Sequence, residues 1–161
     1  MSGLVVHAAT ADDTRMLAQR LAGVLAPGDV LILSGDLGAG KTTFTQGLGD
    51  ALGVRGDVTS PTFVISRVHP SLDNGPALVH VDAYRLAGLA ELDDLDLDIT
   101  LERAVTVVEW GSGVAEGLAE DRLEISILRG HGEHDDETRT LRVTAVGSRW
   151  DGVDLRRALG A

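Results

Sequence analysis

The sequence predicts an α/β fold, a mixed central β-sheet flanked by helices, in one domain spanning residues 1–161. Three observations predict it. Short apolar runs recur along the chain, at Val30-Leu31-Ile32-Leu33, Ala77 to Val81 and Val105 to Val108, and read as strands. Segments with apolar residues at helical spacing lie between several of them. One apolar run passes into such a segment through a glycine-rich turn. Hydrophobic residues make up 43% of 161, enough for a real core, and no internal repeat or linker divides it.

The elements follow in order. Leu4-Val5-Val6-His7 reads as a first strand. Thr10 can cap a helix beginning at Ala11, with Asp12 and Asp13 complementing its positive end. Leu17, Leu21, Val24 and Leu25 share one helical face, which carries that helix to the turn at Pro27-Gly28-Asp29. Val30 to Leu33 forms the next strand, and Phe44 to Leu52 an amphipathic helix. Beyond a turn region at Gly53 to Asp57, the alternating run Phe63 to Val68 is a strand. A hairpin connection over His69 to Pro76 joins it to Ala77-Leu78-Val79-His80-Val81-Asp82. Leu89, Leu92, Leu95 and Leu97, set among acidic residues, predict one or two short helices within Leu86 to Leu101. Strands at Val105 to Glu109, Leu123 to Leu128 and Thr140 to Val146 follow, then a final helical turn at Asp154 to Leu159.

The glycine-rich turn carries the chemistry. Gly35-Asp36-Leu37-Gly38-Ala39-Gly40-Lys41-Thr42 fits G-x-x-x-x-G-K-[ST], the phosphate-binding loop, with a strand before it and a helix after it. Gly35, Gly38 and Gly40 free the backbone to turn its N–H groups onto one anion. The start of the following helix adds unpaired donors and partial positive charge. Gly35, Asp36, Gly38, Ala39, Gly40, Lys41, Thr42 and Thr43 are therefore the expected nucleotide-binding residues, on a P-loop NTPase fold. Lys41 would reach the β- and γ-phosphates, and the Thr42 hydroxyl would ligate Mg2+. With 20 glycines a glycine pattern alone says little, but Lys41 is the only lysine, every other basic residue being Arg. The one compact ammonium stands where a phosphate suits it.

Composition excludes several classes. A net charge of −11 argues against direct, nonspecific binding of nucleic acid, and 3% aromatic residues offer no base-stacking platform. Without cysteine there is neither a disulfide nor a thiolate metal site. Met1 to Ala9 lacks the basic residues and long apolar core of a secretory signal, and no stretch has the apolar length of a membrane span. The expected location is the cytoplasm.

A nucleotide-hydrolysing P-loop needs a carboxylate at the end of a buried strand. Asp82 and Glu109 both end apolar runs, and so should line the ligand crevice. From the residues alone, either could hold the metal, or cap its strand. Thr59-Ser60-Pro61-Thr62 could sense the γ-phosphate through the Ser60 and Thr62 hydroxyls, or be an ordinary turn. The acidic run Glu91 to Asp98 reads as a solvated helix face, with a docking surface for a basic partner as the other reading. His131-Gly132-Glu133-His134-Asp135-Asp136-Glu137 has metal-binding residue types, but its glycine and acidic run suit a hydrated loop better.

Four motifs in this order resemble the TsaE (YjeE) family of small bacterial P-loop ATPases: Gly35 to Thr43, Ser60-Pro61-Thr62, His80-Val81-Asp82-Ala83-Tyr84-Arg85-Leu86, and Glu109-Trp110. The resemblance runs from the first helix to the strand near Val143. It implies a part in making N6-threonylcarbamoyladenosine at position 37 of tRNAs that read codons beginning with A. The implied partners are TsaD and TsaB, with tRNA met through that complex. The implied activity is ATP hydrolysis that resets the complex between turnovers, with ATP and Mg2+ as cofactors. Thr42 and Glu109 would hold magnesium, Asp82 would aid hydrolysis beside Lys41, and Ser60 and Thr62 would form a switch-like segment. Trp110 would pack near the site, the region from Thr10 to Asp12 would lie near the adenine, and Arg139 would approach the nucleotide. Phe63 stands where the family often has Tyr, and Ala83 replaces a bulkier residue. Two other readings share the loop: a small-molecule kinase, which usually adds an Arg-rich lid not found here, and a noncatalytic nucleotide-sensing adaptor.

Overall fold

The computed structural model describes residues 3–35, 40–54, 66–70, 72, 76–82, 104–109, 121–129 and 138–160. Strands β1 (Gly3–Ala8), β2 (Val30–Ser34), β3 (Ser66–His69), β4 (Ala77–Asp82), β5 (Ala104–Glu109), β6 (Arg122–Arg129) and β7 (Arg139–Val146) build one sheet. Its order is β1-β7-β6-β2-β5-β4-β3. The four central strands β6, β2, β5 and β4 run parallel, while β3 at one edge and β7 and β1 at the other are antiparallel to their neighbours. The mixed sheet expected from the sequence is present, with the antiparallel pairings confined to its two sides.

Burial explains which runs go where. Every residue of β5 is buried, and so are the first four of β2, because central parallel strands are covered on both faces. β1 alternates exposed and buried along its whole length, and β6 alternates until its last two residues, as strands do that turn one face to the core. The face formed by Leu4, Val6, Leu141, Val143, Leu123, Ile125, Leu31, Leu33, Val105, Val107 and Leu78 joins the helices in one apolar core.

Helix α1 (Ala11–Ala22) begins as expected. Thr10 is extended and its side chain accepts the Asp13 N–H. The end comes earlier than the apolar spacing predicts. Gly23 closes α1, and Val24 and Leu25 continue in tight turns, their N–H groups donating to Leu21 and Ala22 carbonyls at 3.0 and 3.2 Å. Both still pack against the core, so their spacing reported burial and not helix. Helix α2 (Lys41–Leu52) starts three residues before the expected amphipathic run. It packs on α1 at Gly47, where a Cβ would lie 2.4 Å from the Arg15 carbonyl oxygen. Helix α3 (Leu155–Leu159), capped by Asp154, docks on α1, with Arg20 Nη1 donating to the Leu159 carbonyl.

A partly buried ion pair fixes the entry to β2. Asp29 accepts from Arg149 Nε and Nη2, both at 3.1 Å, and from the Ala26 N–H at 2.7 Å. The Arg149 guanidinium also donates to the Val24 carbonyl and lies 4.4 Å from the Trp150 ring centroid. The strand feeding the glycine loop is thus anchored at its beginning. Among the described residues no helix is long and apolar enough to cross a membrane. The predicted helices within 86–101 and the acidic run there lie outside the described residues, as do Phe63, Val64, Ile65 and the 131–137 segment.

Candidate functional site

Chain order reverses at β2. From β2 the chain goes through α2 to β3 and β4 on one side, returns at β5, and then reaches β6 on the other side. Ligands of open α/β sheets bind outside the carboxyl ends of strands at such a reversal. Gly35, the first loop residue, stands there. One row of paired residues crosses the strands just beneath it: Asp82 of β4, Glu109 of β5, Leu33 of β2 and Ile125 of β6. The two strand-ending carboxylates of the sequence are therefore neighbours in register, two residues below the start of the loop.

Gly40 immediately precedes α2 with φ 110° and ψ 20°, a left-handed conformation that disfavours any residue with a side chain. The N-cap residue Gly40 has no side chain to occupy the first N–H groups of α2, so that turn offers backbone donors suited to an anion. Lys41, the first residue of the helix, is only 5% exposed. Its Nζ donates to the Gly35 carbonyl at 2.8 Å, which folds the ammonium back across the mouth of the loop. The Lys41 carbonyl in turn accepts from Thr45 Oγ1 at 2.9 Å, a bond one turn along the buried side of α2.

Thr42 points to the sheet. Its Oγ1 donates to Glu109 Oε1 at 3.3 Å, joining the first turn of α2 to the end of β5. Glu109 is 4% exposed, and its other oxygen, Oε2, is bonded to Nε2 of His80. A hydroxyl and a carboxylate, both hard oxygen donors, thus meet at the base of the phosphate loop. Magnesium favours such a set, taking one or two carboxylates together with phosphate oxygens. Among the described residues no cluster of three or more His, Cys, Asp or Glu forms an all-protein metal cage.

The structure brings Gly35, Gly40, Lys41, Thr42, Thr43 and Glu109 to this edge, with the backbone of Asp82 beside them. Asp36, Gly38, Ala39, Ser60, Thr62 and Trp110 lie outside the described residues. Thr10 and Arg139 belong to the same edge of the sheet. Ala8, at the end of β1, pairs with Arg139 at the start of β7, which pairs with Arg129 at the end of β6. Sequence reasoning gave no role to His80, although a histidine inside the apolar run Ala77 to Val81 was a visible signal. It also passed over the Ser34–Ser126 hydroxyl pair, 3.1 Å apart, which ties β2 to β6 next to the loop.

The profile of the family described as "Threonylcarbamoyl adenosine biosynthesis protein TsaE" matches residues 8–140. A relative from Streptomyces coelicolor, named tRNA threonylcarbamoyladenosine biosynthesis protein TsaE, is 61% identical over 142 residues, covering 88% of this chain and 96% of its own. Proteins of the same name from Mycobacterium tuberculosis and Bacillus subtilis are 50% and 41% identical, over 73% and 87% of this chain and 74% and 84% of theirs. The crystal structure of Bacillus subtilis YdiB superposes with a TM-score of 0.75 at 34% identity, covering 99% of this chain and 95% of that one. The sheet order, the loop and these likenesses agree, and the chain belongs to the TsaE family of threonylcarbamoyl adenosine biosynthesis proteins.

Proposed function

We propose that this chain is a magnesium-dependent ATPase subunit of the tRNA-modifying machinery. It binds ATP and hydrolyses it in complex with TsaD and TsaB, so that threonylcarbamoyl transfer to adenosine 37 of tRNA can repeat. The observation that carries the reading is the Thr42–Glu109 bond, which sets two oxygen donors at the base of a phosphate loop. Family membership supplies the biosynthetic context.

Each residue has a stated task in this reading. Backbone donors from Gly35 to Thr43 hold the β- and γ-phosphates. Lys41 leaves the Gly35 carbonyl and turns its ammonium to the same phosphates. Thr42 and Glu109 hold magnesium, whose contribution when bound is to neutralise charge on the β- and γ-phosphate oxygens. Asp82 orients the water that attacks the γ-phosphate in line. Ser60 and Thr62 sense the γ-phosphate as a switch-like segment. Little covalent chemistry is asked of the protein, so catalysis comes from positioning and charge neutralisation. The whole chain acts as one P-loop domain in the cytoplasm, and its net charge of −11 suits contact with tRNA through partners better than direct contact.

The test is ATP turnover by the purified chain, alone and with TsaD, TsaB and substrate tRNA, with modified adenosine counted in the same tubes. Partners should raise hydrolysis, the chain should restore multiple rounds of modification, and Lys41→Ala should abolish both. Near-normal turnover in Lys41→Ala would sink the site assignment. Hydrolysis and modification that ignore each other would remove the partner reading.

A further inference from the structure

His80 is fully buried in β4, paired with Val107 of β5 on the sheet face that packs beneath α2. Leu78, Val105 and Val107 on that face are apolar members of the core, while Asp82 and Glu109 follow at the strand ends and Arg67 of β3 pairs with His80 in register. The apolar neighbours offer an imidazole no polar partner. Its Nδ1 is buried and has no hydrogen-bond partner among the described residues, and such a loss costs about 1–3 kcal/mol. An apolar side chain of similar volume would serve the core better.

What the imidazole does have is Glu109. A carboxylate oxygen only accepts, so the shared proton belongs to Nε2 and His80 donates to Oε2. Thr42 Oγ1 donates to the other oxygen, Oε1. The terminal torsion of a glutamate is otherwise broad. Here the two donors, one from the sheet and one from α2, fix the plane of the carboxyl group. Outer partners of this kind orient metal-binding side chains, and removing one weakens metal affinity roughly 10–100-fold.

We propose that His80 is the positioning residue of the cation site: it grips Oε2 of Glu109 so that Oε1 stays beside Thr42. The inference rests on the reading of Glu109 as a magnesium ligand. It accounts for a buried polar group that the core does not need, and it gives the first residue of the His80 to Leu86 motif a task.

The experiment measures Mn2+ affinity by electron paramagnetic resonance in the presence of the non-hydrolysable ATP analogue AMP-PNP. It compares the unaltered protein with His80→Leu, His80→Gln and Glu109→Gln. His80→Leu should weaken Mn2+ binding roughly 10–100-fold, while AMP-PNP affinity measured in EDTA stays within about twofold of the unaltered protein. His80→Gln, which keeps an N–H donor near the same point, should recover most of the loss. Mn2+ affinity retained in His80→Leu but lost in Glu109→Gln would overturn the role of His80 and leave the Glu109 reading standing. Affinity retained in Glu109→Gln would overturn both. Should His80→Leu not fold, the ring 15N resonances of the unaltered protein decide, with the His80 signal identified by its loss in His80→Gln. They should show an Nε2-protonated ring and shift when Mg2+ is added to the AMP-PNP complex. Resonances that ignore Mg2+ would overturn the proposal.

Discussion

Replacing Gly47 by alanine sets two effects against each other, and the structure decides between them. Alanine in a helix interior is favoured over glycine by about 0.5–1 kcal/mol, so on propensity alone α2 should gain. The new Cβ would, however, lie 2.4 Å from the Arg15 carbonyl oxygen, 2.8 Å from Arg15 Cα and 3.0 Å from Ala18 Cβ. The first of these is roughly 1 Å inside ordinary contact. Two of the three atoms are backbone of α1, so no side chain can swing away and the helices must part. Overpacking of this kind costs about 1–3 kcal/mol and exceeds the propensity gain. A net loss of about 1–2 kcal/mol should lower Tm by about 2–8 °C in a chain of this size. Thermal and urea unfolding followed by far-UV circular dichroism measure it. Because α2 carries Lys41 and Thr42 at its start, ATP affinity should fall as well. A Gly47→Ala protein melting at or above the unaltered one would refute the close crossing of α1 and α2.

Three further outcomes are expected. Asp82→Ala should lower ATP turnover by about tenfold or more, in line with the loss of a water-positioning group, while ATP affinity changes little; steady-state kinetics beside equilibrium nucleotide binding separate the two, and unchanged turnover would make Asp82 a structural residue. Asp29→Ala should cost about 2–4 kcal/mol in urea unfolding, because it strips the Arg149 guanidinium and the Ala26 N–H of their acceptor; a loss below about 0.5 kcal/mol would show the pair to be dispensable. Thr10→Ala should cost about 1 kcal/mol through the lost cap on the Asp13 N–H, and Thr10→Asn should restore most of it in the same assay.

Strands that feed or flank the loop were legible because their signal is local. Val30 to Leu33 is apolar at every position, which fits a central parallel strand, and the alternation in Leu123 to Leu128 fits a strand with one face to the core. The loop stands out in the sequence because its glycines, lysine and threonine have the spacing that a phosphate-binding turn requires. Other features depend on what lies across the fold. The insertion of β5 between β2 and β4 is a long-range pairing that no run of residues encodes. Gly47 reads in sequence as a weak point in a helix, and only the crossing with α1 explains it. Val24 and Leu25 show the converse error, since apolar spacing continues to mark buried positions after helical hydrogen bonding has stopped.

If the proposed nucleotide site holds, side-chain contacts at the strand ends would tie it to the sheet. Glu109 is tied through Thr42 to the first turn of α2 and through His80 to β4. Lys41, on the same turn, is tied to the loop backbone at Gly35. Moving Lys41 from that carbonyl to a phosphate therefore acts on the turn that also holds Thr42. Thr42 is bonded to Glu109, and Glu109 through His80 to β4, the strand that ends at Asp82. If the proposed ATP-driven reset holds, these contacts offer one physical route by which a change at Lys41 would reach β4. The contacts from Gly35 to His80 join five residues, and a single substitution at Lys41, Thr42 or His80 removes one of their three side-chain links.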